Sequence, residues 1–398
     1  MHPLTSFHLL AKPTGAVCNL DCKYCFYLPQ ESLYPESTFR MSDEVLQAYI
    51  RQYIESQPGP EVNFAWQGGE PTLMGIDFFR RAVEIAERHK RPDTQLLHTI
   101  QTNGILLDDE WCAFFAEHRF LVGLSLDGPR DLHDVYRVDK GGHPTFDKVM
   151  RGLRLLQKHG VDVNILTTVH AINAAYPTEV YQFLRDEVEA RFIQLIPIVE
   201  RSTQLLSLGR ERRIRASERS VSGAAYGHFL VTIFEEWIRR DVGRVFVQMF
   251  DSALAAWAGE PGGLCVHAET CGAALALEHN GDVYSCDHFV RPEHKLGNIT
   301  RQHMGELAAS EAQTSFGNAK RDTLPKMCRD CEVRFACNGG CPKDRFATTA
   351  DGEAGLNHLC DGYRAFFRHV DRPMRQMARL LDAGRAPAEI MSVYASAG

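Results

Sequence analysis

The chain reads Gly15-Ala-Val-Cys18-Asn-Leu-Asp-Cys22-Lys-Tyr-Cys25-Phe-Tyr-Leu-Pro29 directly after an apolar run, Phe7 to Leu10, that is typical of a first β-strand. The three cysteines have C-x3-C-x2-C spacing. Three thiolates can bind three irons of a 4Fe-4S cube, whereas a cube closed entirely by protein takes four cysteines. The stretch therefore predicts a cluster loop whose fourth iron is open to a substrate or a cofactor.

Two other interpretations of these cysteines are a disulfide pair with one spare thiol and a zinc site. The first residues, Met1 to His8, lack the basic start, apolar core and cleavage site of a secretory peptide, so disulfides are not expected. Zinc takes four ligands, commonly from two cysteine pairs, and the loop offers no fourth. An iron-sulfur loop fits the spacing better than either.

Composition limits the function classes. The chain has 398 residues, of which 44% are hydrophobic and 24% charged, so it can bury more than one core. The formal net charge of -7 argues against a nonspecific nucleic-acid binder, which would carry a basic balance. No apolar run reaches the roughly 18 residues of a membrane span. Twelve cysteines are too few for a disulfide scaffold of this length.

Strand-like and helix-like stretches alternate up to about residue 240, which predicts a parallel sheet with right-handed crossovers. The strand candidates are Phe7 to Ala11, Val62 to Trp66, Gln95 to Ile100, Leu121 to Leu126, Val163 to Val169 and Phe192 to Ile196. The helix candidates lie near 43–56, 77–90, 109–118, 145–159 and 178–189, with a longer apolar stretch near 222–239. Six β/α units are too few for a closed eight-unit barrel and favour a partial one.

Polar and glycine-rich residues recur where these strands end, the edge at which such folds collect their chemistry. Gly68 and Gly69 let the backbone approach a ligand closely, and Glu70 can accept hydrogen bonds from an ammonium group. A Gly-Gly pair alone is more often a simple turn, and its place after the second strand is what favours a site. The strand-end segments are Gln67 to Pro71, Gln101 to Gly104, Ser125 to Gly128 and Thr167 to Thr168.

Eight further cysteines follow residue 260, enough for two complete sets of four. A structural zinc knuckle is the alternative for C-x2-C-x5-C-x3-C, but a chain that already has an open-site loop is better explained by further clusters. Cys112, in the helix after the third strand, is expected to be an ordinary buried thiol. The eight are Cys265, Cys271, Cys286, Cys328, Cys331, Cys337, Cys341 and Cys360.

The Arg-rich segment Arg201 to Arg219 interrupts the alternation. A solvated insertion or mobile loop is the simpler interpretation, and a guide for an extended substrate peptide is the other. The tail after about residue 365, including Met374 to Leu381, is predicted to be a helix with a loose end.

The first loop and the Gly68-Gly69-Glu70-Pro71 segment resemble the signature of radical S-adenosylmethionine (SAM) enzymes, and the later cysteines resemble a SPASM domain. The resemblance implies a partial (β/α)6 TIM-like barrel over 1–240, a SPASM domain with a C-terminal helix over 241–398, and SAM bound at the first cluster. It implies three 4Fe-4S clusters: one on Cys18, Cys22 and Cys25, one on Cys265, Cys271, Cys286 and Cys341, and one on Cys328, Cys331, Cys337 and Cys360. The implied SAM contacts are Tyr27, Gln67, Gly68, Gly69, Glu70, Pro71 and Ser125, with Asn103 and Asp127 as weaker candidates.

More of the chain is similar to the anaerobic sulfatase-maturating enzymes, notably Phe64 to Pro71, Ser125 to Pro129, Phe192 to Pro197 and Cys286-Asp287-His288. The similarity runs from about residue 5 to residue 365. It implies oxidation of a Cys or Ser in a C/S-x-P-x-R segment to Cα-formylglycine, with Asp287 as the base. It also implies an unfolded or nascent sulfatase as substrate, flavodoxin or ferredoxin as electron donor, and an anoxic cytoplasmic setting.

Three competing functions follow from the same residues. Another SPASM maturase, making a thioether or carbon-carbon crosslink, would usually carry a recognition domain before the barrel, and the cysteine loop here starts at residue 18. An electron carrier without catalysis would have no use for an open-site cluster beside a Gly-Gly-Glu-Pro segment. A radical SAM enzyme acting on RNA is disfavoured by the net charge of -7.

Overall fold

The structure is a computed structural model that describes residues 6–205 and 212–395. Its strands in chain order are β1 (His8–Lys12), β2 (Glu61–Trp66), β3 (Gln95–Thr102), β4 (Leu121–Ser125), β5 (Asp162–Val169), β6 (Phe192–Pro197), β7 (Arg201–Leu205), β8 (Arg212–Ala216), β9 (Phe246–Val247), β10 (Ala274–Glu278), β11 (Asp282–Tyr284), β12 (Lys295–Asn298), β13 (Ala347–Thr348) and β14 (Ala354–Leu356). Each of the six predicted strands is present and ends within two residues of its predicted bounds.

The helices follow the predicted alternation. They are α1 (Asp43–Ser56), α2 (Ile76–His89), α3 (Asp109–Glu117), α4 (Arg130–His133), α5 (Phe146–Lys158), α6 (Pro177–Gln182), α7 (Gly223–Arg240), α8 (Gln248–Trp257), α9 (Met304–Ala308), α10 (Glu311–Asp322), α11 (Lys326–Arg329), α12 (Arg334–Cys337), α13 (Cys360–Asp382) and α14 (Met391–Tyr394). The predicted helix near 178–189 is split, because α6 gives way to a π-helical turn over Phe183–Glu187.

The chain forms two compact units. The first comprises residues 1–125, 134–163 and 271–319, and the second comprises residues 126–133, 164–270 and 320–398. The predicted boundary at residue 240, between a radical SAM domain and a SPASM domain, is a different kind of division and stays a prediction.

In the first unit the strand order is β12-β11-β10-β1-β2-β3-β4. Strands β1 to β4 are parallel neighbours, and β10 pairs parallel with β1 from His8↔Ala274 to Lys12↔Glu278. The late segment that contains β10 therefore joins the sheet beside the first cysteine loop. Because parallel strands end at one edge, the loops that follow β1, β2, β3 and β10 lie together.

Helices α1 and α2 cover this sheet with an aromatic core. The Trp66 ring contacts Tyr49 and Phe79 edge-on, with centroids 5.4 and 5.5 Å apart. The Ser42 hydroxyl accepts a hydrogen bond from the Val45 N–H and so caps the start of α1. Burial of this apolar face is the main force that holds the strand ends in place.

In the second unit β5, β6 and β9 are parallel neighbours, and α7 packs against α13. A Cβ at Gly227 would lie 2.7 Å from Cα of Gly362, so the two glycines let these helices approach closely. The predicted C-terminal helix is longer than expected, since α13 already begins at Cys360.

The Arg-rich segment differs from its expected loop. Strands β7 and β8 form an antiparallel pair, with Arg201 opposite Ala216. The pairing of β7 with β8 satisfies the backbone N–H and C=O groups of this segment. Residues 206–211 of this segment lie outside the described residues. No helix in the described residues is long and apolar enough to cross a membrane.

Candidate active site

The first cysteine loop leaves β1 at the sheet edge where β2, β3 and β4 also end. Cys18, Cys22 and Cys25 are all partly exposed, and the Cys25 N–H donates to the Cys22 carbonyl in a tight turn. The Leu20 N–H lies 3.3 Å from the Cys18 sulfur. Three cysteines in one short loop with backbone N–H groups beside sulfur are the chemistry that an iron-sulfur cluster uses, and the binding of a cluster by this loop stays a prediction.

Burial raises the pKa of the Cys18 thiol to about 12, and the charge of Glu70 adds to the effect. Burial also raises the pKa of Cys25, although backbone N–H groups of Leu28 and Tyr27 act against it. A thiol with a raised pKa stays protonated and neutral until a metal displaces its proton. No disulfide joins any of the twelve cysteines.

The Gly68-Gly69 pair is pressed against the cysteine loop. The Gly69 N–H donates 2.9 Å to the Gly15 carbonyl, and the Glu70 N–H donates 2.9 Å to the Val17 carbonyl. A Cβ at Gly69 would lie 2.0 Å from the Val17 carbonyl oxygen. The second glycine is therefore required by the approach of two protein backbones, whatever else binds nearby.

Glu70 is buried and connects the ends of β2 and β3. Its Oε1 accepts hydrogen bonds from the N–H and hydroxyl of Thr72 and from the Thr102 hydroxyl, and its Oε2 accepts one from the Asn103 N–H. Burial raises the pKa of Glu70 against the opposing effect of these donors. The structure thus gives this carboxylate a role in joining loops, and its contact with a SAM ammonium group stays a prediction.

The remaining strand-end candidates take part in hydrogen bonds. The Asn103 side-chain N–H donates 2.7 Å to Asn19 Oδ1, inside the cysteine loop. The Ser125 hydroxyl accepts from Gln101 at 3.0 Å. In the second unit, buried Asp127 accepts from the Thr168 N–H at 2.9 Å.

Asp287 follows Cys286 and reaches the first cysteine loop. Its Oδ2 accepts a 2.6 Å hydrogen bond from the Tyr27 hydroxyl, which in turn accepts one from Gln67 at 2.9 Å. Its Oδ1 lies 3.2 Å from Nζ of Lys12 and accepts no well-aligned hydrogen bond. The carboxylate is therefore held at both oxygens, Oδ2 by the Tyr27 hydroxyl and Oδ1 by the Lys12 ammonium group.

The sequence reasoning singled out Tyr27, Gln67 and Asp287 one by one, and the structure brings them into one network. It missed Lys12 and Glu278, whose side chains are both buried and lie 2.5 Å apart. The sequence could have indicated both residues, because each is a charged residue at the end of an otherwise apolar run. Lys12 follows Leu-Leu-Ala in β1, and Glu278 follows Ala-Leu-Ala-Leu in β10.

In the second unit, four predicted ligands share one cavity of about 90 Å³. Three come from the short segment around α11 and α12, and the fourth from the start of α13. Burial raises the pKa of Cys337 to about 12 and that of Cys360 to about 11, and neighbouring thiols add to both. The cysteines that line the cavity are Cys328, Cys331, Cys337 and Cys360.

The other predicted foursome is divided between the two units. Cys271 and Cys286 belong to the first unit, whereas Cys265 and Cys341 belong to the second. Their joint binding of a cluster stays a prediction. Cys112 is fully buried in the core of the first unit, as expected.

Two family models match the chain. The Radical SAM superfamily model matches residues 13–184, and the model of an iron-sulfur cluster-binding domain, SPASM, matches residues 268–332. The parallel-dominated α/β fold, the cysteine loops and these matches define a radical SAM oxidoreductase with a SPASM domain. The predicted fold class is confirmed.

Whole-chain relatives narrow the class. The serine-type anaerobic sulfatase-maturating enzyme of Bacteroides thetaiotaomicron is 49% identical, covering 96% of this chain and 94% of the relative. The cysteine-type enzyme of Clostridium perfringens is 32% identical, covering 93% and 97%. The solved structure of native anSMEcpe with bound AdoMet is similar with a TM-score of 0.83, at 32% identity, over 94% of this chain and 99% of that chain. This chain belongs to the family of anaerobic sulfatase-maturating enzymes.

Proposed function

We propose that the protein oxidises a Cys or Ser side chain in a C/S-x-P-x-R segment of an unfolded or nascent sulfatase to Cα-formylglycine. The proposal depends on one observation: the Asp287 carboxylate accepts a hydrogen bond from Tyr27, at the end of the first cysteine loop. Family membership supports the reaction class, and this geometry supports the choice of residue.

The reaction removes one hydrogen atom, one proton and one electron from the substrate carbon and its heteroatom. A Ser side chain becomes the aldehyde directly, whereas a Cys side chain becomes a thioaldehyde, which water hydrolyses to the aldehyde with release of hydrogen sulfide. Bound SAM with the cluster on Cys18, Cys22 and Cys25 would supply the acceptor of the hydrogen atom, and clusters on the later cysteines would supply the acceptor of the electron. The Asp287 carboxylate, whose side chain is 14% exposed, takes the proton. Tyr27 and Lys12 keep the carboxylate from rotating away while this happens.

Three 4Fe-4S clusters are proposed on the cysteine sets already described, giving about 12 irons per chain. Flavodoxin or ferredoxin is the proposed donor for the first cluster, and the cytoplasm the proposed location. Greater identity to the serine-type relative, 49% against 32% for the cysteine-type one, favours turnover of a Ser peptide. An open cube reacts with oxygen, so full activity after exposure to air would contradict this account.

The test is an anaerobic assay of the iron-loaded protein with SAM, dithionite and two peptides, one C-x-P-x-R and one S-x-P-x-R. We expect a loss of about 2 Da from the Ser peptide or about 18 Da from the Cys peptide, with matching 5'-deoxyadenosine. Deoxyadenosine without oxidised peptide would favour a crosslinking maturase instead.

The Asp287→Asn variant tests the base. It keeps the size of the side chain and the contact with Tyr27 but cannot take the proton, so we expect SAM cleavage to persist and formylglycine to be lost. Glu293→Gln is the matched control, because Glu293 is exposed in the same segment. Normal turnover by Asp287→Asn would remove Asp287 from the mechanism.

A further inference from the structure

Lys12 is the most deeply buried cation at the site. Its side chain is 0% exposed, its Nζ lies 2.5 Å from Glu278 Oε1 and 3.2 Å from Asp287 Oδ1, and it donates 3.1 Å to Gln30 Oε1. Its Nζ also lies 5.4 Å from the centre of the Tyr27 ring. Lysine is almost never fully buried unless it is paired, and here two carboxylates, Glu278 and Asp287, are its partners.

The backbone fixes the place of the ammonium group. Lys12 and Glu278 are register partners at the ends of parallel strands β1 and β10. Their side chains therefore emerge beside each other from two rigid strands, which define a site more narrowly than loops do. Asp287, in contrast, lies on a short 3-10 turn and depends on side-chain contacts for its orientation.

Lys12 has two carboxylate partners in this cluster. Two carboxylates, Glu278 and Asp287, share the one ammonium group of Lys12, and the His279 ring lies 3.6 Å from the other oxygen of Glu278. Burial opposes the charge on Lys12, but Asp287 and Glu278 outweigh it and raise the pKa of Lys12. Asp287 and Glu278 thus both favour the ionised form of Lys12, and the contact of Lys12 with Glu278 fixes the ammonium group at the place where it meets Asp287.

We propose that Lys12 and Glu278 are positioning residues for Asp287, a buried pair that holds Oδ1 of the carboxylate while Tyr27 holds Oδ2. The proposal rests on the proposed function, in which Asp287 is the base. Both residues are buried, Lys12 at 0% and Glu278 at 2% exposure, so neither is expected to bind the substrate.

The test uses a double variant, Lys12→Met/Glu278→Met. Lys12→Met alone would leave two buried carboxylates without a cation and endanger folding, whereas removing both charges leaves an apolar pair of similar volume. Glu278→Gln is the second variant, and it gives Lys12 only Asp287 as a charged partner. Lys295→Met is the control, because it removes an ion pair to Asp282 in the same unit that does not touch Asp287.

Two readouts are measured in the anaerobic peptide assay: 5'-deoxyadenosine, and formylglycine formed per deoxyadenosine. We expect deoxyadenosine to stay within about twofold of wild type and the ratio to fall about 10- to 100-fold in the double variant, with a smaller fall in Glu278→Gln. The unfolding temperature and iron content are measured alongside, and Lys295→Met is expected to keep the wild-type ratio. An unchanged peptide KM would agree with a residue that acts through Asp287.

The failures are distinguishable. If wild type forms formylglycine and both variants fold and keep the wild-type ratio, the positioning role is overturned and the proposed function stands. If the double variant does not fold, the ratio in Glu278→Gln decides in the same way. If wild type cleaves SAM but oxidises neither peptide, or if Asp287→Asn keeps normal turnover, the proposed function or its base fails and the inference fails with it.

Discussion

The Tyr27 hydroxyl donates a 2.6 Å hydrogen bond to Oδ2 of Asp287, although 260 residues separate the two in the chain. Burial raises the pKa of Tyr27 well above its ordinary value, and the neighbouring charge of Asp287 raises it further. The phenol therefore stays protonated and remains a donor. The contact joins the first cysteine loop to the turn after Cys286, and so ties two distant cysteine segments to one carboxylate.

Tyr27→Phe is expected to lower formylglycine formation roughly 10- to 150-fold while SAM cleavage persists. The change removes one hydrogen bond to a charged group, about 1.5–3 kcal/mol, but keeps the aromatic ring. Formylglycine and deoxyadenosine are measured together by mass spectrometry. Phe26→Leu on the exposed neighbour serves as a control for the loop, and equal loss of both products in Tyr27→Phe would indicate a role toward SAM instead.

The β/α alternation could be predicted from sequence because the hydrophobic periodicity of each element and the residues that cap or end it are local features. Helix α1 has the predicted bounds, 43–56, since its cap at Ser42 and its apolar face lie within one short window. The π turn after Gln182 and the pairing of β10 with β1 could not be predicted. Both depend on tertiary contacts, and no local pattern shows which strand will extend a sheet.

Gly69→Ala is expected to destabilise the first cysteine loop and to reduce bound iron. A Cβ there would lie 2.0 Å from the Val17 carbonyl oxygen, so the backbone of Ala16 to Cys18 would have to move. Iron content and unfolding temperature are the measurements. Gly59→Ala is the matched control, since its Cβ would meet nothing closer than 4.0 Å; equal iron in both variants would contradict the prediction.

The residues of the candidate site could be predicted from the sequence, but only some of the contacts between them could. Cysteine spacing and strand-end glycines indicated a cluster loop, because they are sequential. The buried partners of Asp287 were not singled out, since Lys12 and Glu278 meet only through strand pairing. Glu70 is a different case. Its sequence motif predicts contact with a bound cofactor, whereas its four hydrogen bonds within the protein could be found only from the structure.

Cys360→Ala is expected to reduce bound iron by about four atoms per chain, one cluster, because Cys360 lines the same cavity as three other cysteines. Anaerobic iron analysis of the purified variant measures the loss. Cys112→Ala is the control, as that thiol lies in the apolar core of the first unit. A wild-type iron content in Cys360→Ala would show that the cavity does not bind a cluster through this residue.

His98→Phe is expected to make the protein less sensitive to mild acid. The His98 ring is buried between Phe64 and Phe120, with centroids 5.3 and 4.9 Å away, and burial lowers its pKa from 6.5 to about 4, with His118 adding to the effect. The unfolded chain therefore takes up a proton on this side chain at a higher pH than the native chain does. Stability due to neutral His98 is fully present above pH 6.5 and is lost as the pH falls toward 4.

Between about pH 7.5 and about pH 5 this loss corresponds to roughly 2 kcal/mol of the free energy of unfolding. Phe fills a similar volume between the same two rings and carries no proton, so His98→Phe should lose about that much less stability over this range. Anaerobic urea unfolding at the two pH values measures the difference, and His143→Gln, on an exposed loop, is the control. If His98→Phe and wild type lose the same free energy on acidification, His98 is not the group that makes the core sensitive to acid.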